Sequence, residues 1–411
     1  MVTFEDKLEK YAKLAVEVGV NVQPGQLLVV TAPLVATEYV RKVVKCAYEA
    51  GARYVHVDWT DDQVTRLRYE LAPADSFAEY PIPWRARGWQ EMAEGNAAFL
   101  SIVSANPDLL KGIDPERINQ ANKALGAAMM PFRRYTMSDK VSWSIVAVPS
   151  QVWADKVFPD KPAEERVPAL WEAIFQATRV DREDPVAAWQ EHARTLNSKA
   201  DRLNERKYRA LHFKATGTDL TIELPERHVW VSADSHNEQG TVFIANIPTE
   251  EVFTAPKKDG INGTVTSTKP LSYGGVLIEN IRLTFENGRI VDFSADSGYE
   301  TLKGIIETDE GSRSLGEVAL VPHESPISQT NLIFYNTLFD ENASNHLAIG
   351  KGYAFCIEGG KTMSQEELAN TGLNDSLVHV DFMIGSAEMD IDGILPDGSR
   401  EPVFRKGTWA F

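Results

Sequence analysis

The chain has 411 residues and a formal net charge of −17 at neutral pH, from 42 Lys and Arg against 59 Asp and Glu, a balance that repels a phosphate backbone and argues against nucleic acid as the principal partner. Its length exceeds what one hydrophobic core usually serves, so two domains are expected. The composition, 43% hydrophobic and 25% charged with only Cys46 and Cys356, excludes a disulfide framework, offers no run near the roughly 20 apolar residues of a membrane span, and fits a soluble protein of the reducing cytoplasm.

The N-terminal stretch MVTFEDKLEKYAKLAVEVGV has early acidic residues and an amphipathic pattern. It predicts a helix capped by Thr3 and running to about Gly19, not an export signal. QLLVVTAP, YVHVDW, AAFLSIVSA and VSWSIVAVP then read as strands, rich in branched residues and nearly continuously apolar. Strands buried on both faces and separated by helices such as TEYVRKVVKCAYEAG and PERINQANKALGAAMM indicate a mostly parallel sheet in an open α/β layer. Helices around PALWEAIFQATRV and VAAWQEHARTLNSKADRLNER close this half, giving an expected N-terminal α/β domain over residues 1–206.

From residue 207 to 411 the pattern changes. ALHFKATGTDLTIELP, TVFIANIP, GVLIENIRLTFENGRIVDFSA, GEVALVP and HVDFMIG are strand-like runs joined by Gly, Asn, Asp and Pro turns, and FENGRI carries the Asn-Gly hairpin signal. An α+β domain rich in antiparallel strands is expected here. No internal repeat or low-complexity segment interrupts either half.

Familiar cofactor motifs fail. No Gly-x-Gly-x-x-Gly follows a predicted N-terminal strand. EGGKT imitates the end of a phosphate loop, but Phe355 stands where that motif begins with glycine, and a tight turn is the better reading. MDIDGILPDG starts like a calcium loop yet lacks its alternation of oxygen ligands and its final glutamate, so an Asp-Gly turn is expected. His56 and Asp58, two apart in YVHVDW, have no further ligand nearby in sequence and read as a polar strand end.

The second half gathers acids and imidazoles beside turns and strand ends. Glu250 and Glu251 lie in NIPTEEVFTAP, Glu317 in SLGEVALVP, and Glu341, His346 and Tyr353 in FDENASNHLAIGKGYAF. His379 and Asp381 lie in SLVHVDFMIG, on the same side of a predicted strand because successive side chains alternate. Glu317, alone among apolar neighbours, requires a partner when buried. NASNHLAIGKG predicts a short helix, capped by Asn342 or Ser344 and stopped by the glycines at 350 and 352, that presents His346 and lets the chain turn back toward it with Tyr353. Two imidazoles with three or four carboxylates suit two adjacent divalent ions, since carboxylates can bridge metals and dilute their repulsion. Hydrogen-bonded core groups and surface charges remain the alternative at each position.

Several whole phrases, NIPTEEVFTAPKKDGINGTVTSTKPL, SLGEVALVP, NASNHLAIGKGYAF and HVDFMIGSAEMDIDGI, resemble the aminopeptidase T and aminopeptidase S family of metal-dependent bacterial aminopeptidases. The start KLEKYAKLAVEVGVNVQPGQ matches more loosely, and the order of phrases extends the resemblance over nearly the entire chain. The resemblance implies metal ligands at Glu251, Glu317, His346, His379 and Asp381, with Tyr353 a ligand or close neighbour and Glu341 a ligand or an acid just behind one. It implies two divalent ions per chain, Zn, Co or Mn, a peptide substrate with a free N-terminus, and a homodimer. Glu250 is the expected general base and Tyr353 an expected donor to the oxyanion. A metal-dependent amidase on the same scaffold is the runner-up, and a non-catalytic ligand-binding protein the third reading.

Overall fold

The computed structural model describes residues 3–411. Two compact units divide the chain: residues up to Glu191 together with Asp234–Ile247, and His192–Ala233 together with Pro248–Phe411. The sequence reading sets the boundary at Arg206, the end of the helix Pro185–Arg206, whereas the units divide inside that helix. The excursion Asp234–Ile247 goes with the first unit because its strands Asp234–His236 and Val242–Ile244 form a hairpin and Asn246 then bridges to Ile145. That pairing is long-range, and nothing local in TVFIANIP announces it.

In the first unit, β1 (Leu27–Pro33), β2 (Tyr54–Thr60), β3 (Ala98–Val103) and β4 (Trp143–Ala147) form a sheet in the order β2-β1-β3-β4. All three pairings are parallel, as the apolar runs predict. Helix α1 (Phe4–Leu14) opens with Thr3 and Asp6 capping one another reciprocally, which satisfies two backbone donors that a helix start leaves unpaired. Its Tyr11 is fully buried, donating to the Ala147 carbonyl at 3.0 Å and accepting from the Ala147 N–H at 3.1 Å. The phenol thus ties the helix to the end of β4.

Strand β2 departs from the expectation of burial on both faces. It is an edge strand, with Tyr54 and Trp59 exposed. His56 is exposed too, and Asp58 pairs with Arg85 at 2.6 Å, in keeping with a polar strand end. Three helices of this unit, Asp62–Leu71, Pro83–Glu94 and Gln151–Val157, escape the sequence reading. In the first of them Val64, Leu67 and Leu71 face solvent, so its apolar residues do not mark a buried stripe.

The second unit contains an eight-stranded antiparallel sheet. Its strands run in the order Arg289–Ser294, Arg282–Glu286, Ile261–Thr266, Thr218–Glu223, Ala210–Ala215, Asp390–Ile394, Arg400–Arg405, Thr408–Trp409. The Asn287-Gly288 hairpin joins the first two, with both residues at positive φ, the backbone that a two-residue hairpin of this kind requires. Asp392 and Gly393 lie within a strand, not in the expected turn; Gly393 has no Cβ there to collide with the Tyr208 ring. The Asp-Gly turn of that segment falls at Asp397-Gly398, where Gly398 has a positive φ. EGGKT is a turn, with Gly359 at positive φ before the short helical turn Gly360–Thr362.

A second, four-stranded sheet positions the acids and imidazoles. It is built from β5 (Val252–Thr254), β6 (Leu315–Leu320), β7 (His346–Gly350) and β8 (His379–Met383), in the order β8-β7-β6-β5 and antiparallel throughout. His346 therefore stands on a strand, which corrects the short helix expected around it. HLAIG is buried along its whole length between two strands, and apolar residues paired on both sides take strand geometry whatever precedes them. The helical character stops earlier, in the turn Glu341–Ala343.

Candidate metal centre

Register decides which side chains meet. Glu317 on β6 is opposite Ala348 on β7, and Ala348 is opposite Asp381 on β8. His346 is opposite Ala319 and Met383, and His379 is opposite Gly350. Directly opposed residues share a face, as do alternate residues of one strand. Glu317, His346, His379 and Asp381 consequently project from the same face.

Glu317 reaches that face through a bulge. Leu315 pairs with Ile349 but Glu317 pairs with Ala348, leaving Gly316 as an extra residue. Regular pairing would put Glu317 opposite Leu347 and turn it away, since one step of register flips every side chain. Gly316 suits the bulge because a Cβ there would run into the Lys351 carbonyl oxygen.

Two ligand groups result, and they share Glu317. One is Glu251, Glu317 and His346; the other is Glu317, His379 and Asp381, with the ligand atoms of each group within 4.8 Å of one another. His346 Nε2 lies 3.1 Å from Glu251 Oε2 and 3.4 Å from Glu317 Oε1. His379 Nε2 lies 3.9 Å from Glu317 Oε2 and 3.4 Å from Asp381 Oδ1. The two oxygens of one carboxylate thus face different imidazoles.

Both histidines are oriented from behind. His346 Nδ1 donates to the Ser344 carbonyl at 3.1 Å, and His379 Nδ1 donates to the Lys351 carbonyl at 2.7 Å. A carbonyl can only accept, so each Nδ1 carries a proton, and each Nε2 is the nitrogen that offers a lone pair to a metal once its own proton is displaced. His346 Nε2 and Asp381 Oδ1 are buried and have no hydrogen-bond partner among the described residues, although carboxylate or imidazole atoms stand close by. Orphaned polar atoms in such a crowd are costly without a cation and natural with one. The donor set, imidazole nitrogen and carboxylate oxygen, fits a divalent metal.

The metal-free electrostatics agree. Burial opposes charge on His346, but Glu251 and Glu317 outweigh it and hold the imidazole well above its usual range. Burial likewise opposes charge on His379, yet Asp381 and Glu317 push it up to about 10. Burial would raise Asp381, and the His379 charge pulls it below the usual carboxylate range. For Glu317 burial prevails over the neighbouring imidazoles and raises the carboxyl. Protons thus occupy the place of positive charge until a metal displaces them.

The remaining expected residues lie around these groups. Tyr353 packs its ring on His379, centroids 4.8 Å apart, and on Phe355 at 5.1 Å; it is next to His379, where the sequence reading turned it toward His346. Burial, then the Glu317 and Asp381 charges, push its phenol well above the usual range. Glu341 is in neither ligand group, and its carboxyl is raised by burial and by the Asp381 and Glu251 charges. Glu250 is buried beside Glu251, with its N–H donating to Asn342 Oδ1 at 2.7 Å. The sequence reading missed His192, whose Nε2 lies 3.5 Å from Glu250 Oε2. A histidine in VAAWQEHARTLN looks like any helix residue, and only the tertiary fold reveals its neighbour.

The family model for thermophilic metalloproteases, M29, matches residues 4–409. The chain belongs to the M29 metalloprotease family. Aminopeptidase AmpS of Bacillus subtilis is 62% identical over all of both chains, and aminopeptidase 2 of Geobacillus stearothermophilus is 55% identical over 99% of this chain and 98% of that one. The solved structure of wild-type AmpT from Thermus thermophilus superposes with a TM-score of 0.94 at 43% identity, covering the whole of both chains. The M29 fold therefore extends over the full chain, with its parallel and antiparallel-rich sheets. As an M29 member the protein is a hydrolase of the metallo-aminopeptidase class and uses divalent metal. Among the described residues no helix is long and apolar enough to cross a membrane.

Proposed function

We propose that this M29 member releases single residues from the free amino end of peptides, using two divalent cations held by one carboxylate-imidazole cluster. The observation supporting two cations is the division of Glu317, with Oε1 toward His346 and Oε2 toward His379. Glu251, His346 and Glu317 Oε1 would hold one ion; Glu317 Oε2, His379 and Asp381 the other. Zn, Co and Mn all accept such donors. When bound, the ions supply an acidified water and polarise the scissile carbonyl.

The chain's own groups do the rest. Glu250 takes the proton of the attacking water and passes it to the departing amine. Tyr353, kept protonated by burial and surrounding carboxylates, donates a hydrogen bond to the carbonyl oxygen as charge develops there. Glu341 tunes the cluster from outside the two ligand groups, and the concentration of carboxylates attracts a protonated amino terminus. The proposal is completed by a homodimer in the cytoplasm and by the unit formed of His192–Ala233 and Pro248–Phe411 as the catalytic part, in place of the expected 207–411.

Metal analysis and aminoacyl-anilide turnover on the same preparations test it. The wild type is expected to hold about two divalent ions per chain, and Glu317→Gln to lose metal from both positions along with turnover. One tightly held ion in a fully active wild type would overturn the two-ion reading. Equal turnover of N-blocked and free-amine anilides would favour the amidase reading instead.

A further inference from the structure

The peptide unit between Thr249 and Glu250 is gripped at both ends by side chains. Its carbonyl, on Thr249, accepts from His192 Nε2 at 2.8 Å; its N–H, on Glu250, donates to Asn342 Oδ1 at 2.7 Å. Asn342 is fully buried and is fixed in turn, with Nδ2 donating to the Leu338 carbonyl at 3.1 Å and its own carbonyl accepting from Ser325 Oγ at 3.0 Å. Only one orientation of the amide satisfies both its oxygen and its nitrogen here. Because a carbonyl only accepts, His192 Nε2 carries the proton in this contact.

We infer that His192 and Asn342 are positioning residues that clamp this peptide plane and thereby aim the Glu250 carboxylate. The plane is rigid, so holding both its polar groups fixes its tilt. Glu250 leaves the chain at the edge of that plane, and a tilt would swing its carboxylate. Reaction rates are sensitive to such shifts, with displacements near 1 Å costing on the order of a hundredfold. His192 also sets its ring edge 3.5 Å from Glu250 Oε2, which limits where the carboxylate can stand. This inference rests on Glu250 being the base.

The test is a set of variants assayed for turnover, KM, metal content and melting temperature: His192→Leu, His192→Gln, Glu250→Gln and the double variant His192→Leu/Glu250→Gln. His192→Leu is expected to lower kcat by about tenfold or more with KM within about twofold and metal content unchanged. His192→Gln, whose amide can still donate to the Thr249 carbonyl, is expected to recover most of that loss. In the Glu250→Gln background, His192→Leu is expected to add little, since the clamp then has no base to aim. Should His192→Leu not fold, His192→Asn, too short to reach the carbonyl, takes its place. Wild-type kcat without the histidine's donor, no recovery with glutamine, or independent multiplication of the two losses would each overturn the inference. Wild-type turnover in metal-loaded Glu250→Gln would instead remove the base reading, and a loss on changing His192 would then show that it does not act through Glu250.

Discussion

Glu317 and Asp381 face each other across the methyl group of Ala348. All three are in one row of the sheet, each acid directly opposite the alanine, and Ala348 is fully buried. A larger side chain there would fill the room between two carboxylates that ligand atoms on either side require.

Ala348→Leu is accordingly expected to fold but to lose metal. Overpacking a tight site costs about 1–3 kcal/mol, which shifts the melting temperature of the metal-free protein downward without abolishing folding. Metal content, measured after dialysis against the ion and back, is expected to fall well below that of the wild type. Full occupancy with normal turnover would show that the cluster does not use the space over Ala348.

The bulge at Gly316 gives a second expectation. Gly316→Ala must move either the Lys351 carbonyl or β6 itself, at a cost of about 1–3 kcal/mol. A shift that removes the bulge turns Glu317 from the cluster, so both ligand groups suffer together. Loss of metal with an intact far-ultraviolet spectrum is expected; a fully metallated, active Gly316→Ala protein would contradict the account of the bulge.

These two residues also mark where the sequence stopped being legible. Regular features with local signals were readable: four parallel strands from their apolar runs, the Asn287-Gly288 hairpin from its turn residues, and the shared direction of His379 and Asp381 from strand alternation. The strand holding His346 was not, because HLAIG between turn residues serves a buried strand as well as a short helix, and pairing on both sides made the choice. The phase of Glu317 could not be read because one extra residue in a bulge reverses it. His192 gave no signal, since its contact with Thr249 joins positions 57 residues apart. Residue types at the centre came from whole phrases and chemistry; their mutual geometry came from register.

Protons and metal compete at His379, which predicts opposite pH responses for the two forms of the protein. In the metal-free form its pKa rises from 6.5 to about 10, burial opposing the shift and Asp381 with Glu317 driving it. A folded-state value above the unfolded one contributes stability that is complete below about pH 6.5 and is lost as pH rises through about 10. The melting-temperature advantage of metal-free wild type over metal-free His379→Gln should therefore shrink across that window. Metal affinity should move the other way and strengthen with rising pH, because the ion displaces a proton from Nε2. An advantage constant from pH 6.5 to 10 would mean that His379 is not held protonated by its neighbours.

Glu250 and Glu251 are adjacent and both buried, yet only Glu251 belongs to a ligand group. Glu251 Oε2 lies 3.1 Å from the orphaned His346 Nε2, while Glu250 Oε2 lies 3.5 Å from His192. Glu251→Gln is expected to lower metal occupancy, since a neutral amide is a poorer partner for a divalent ion than a carboxylate. Glu250→Gln should keep its metal and lose turnover by roughly a hundredfold or more with KM little changed, as expected when proton transfer is removed and ligation is not. Metal content and turnover must come from the same preparation, because an underloaded enzyme imitates a missing base. If metal-loaded Glu250→Gln turns over like the wild type, Glu250 is a buried structural acid, and the base is to be sought at Glu341 or Glu317.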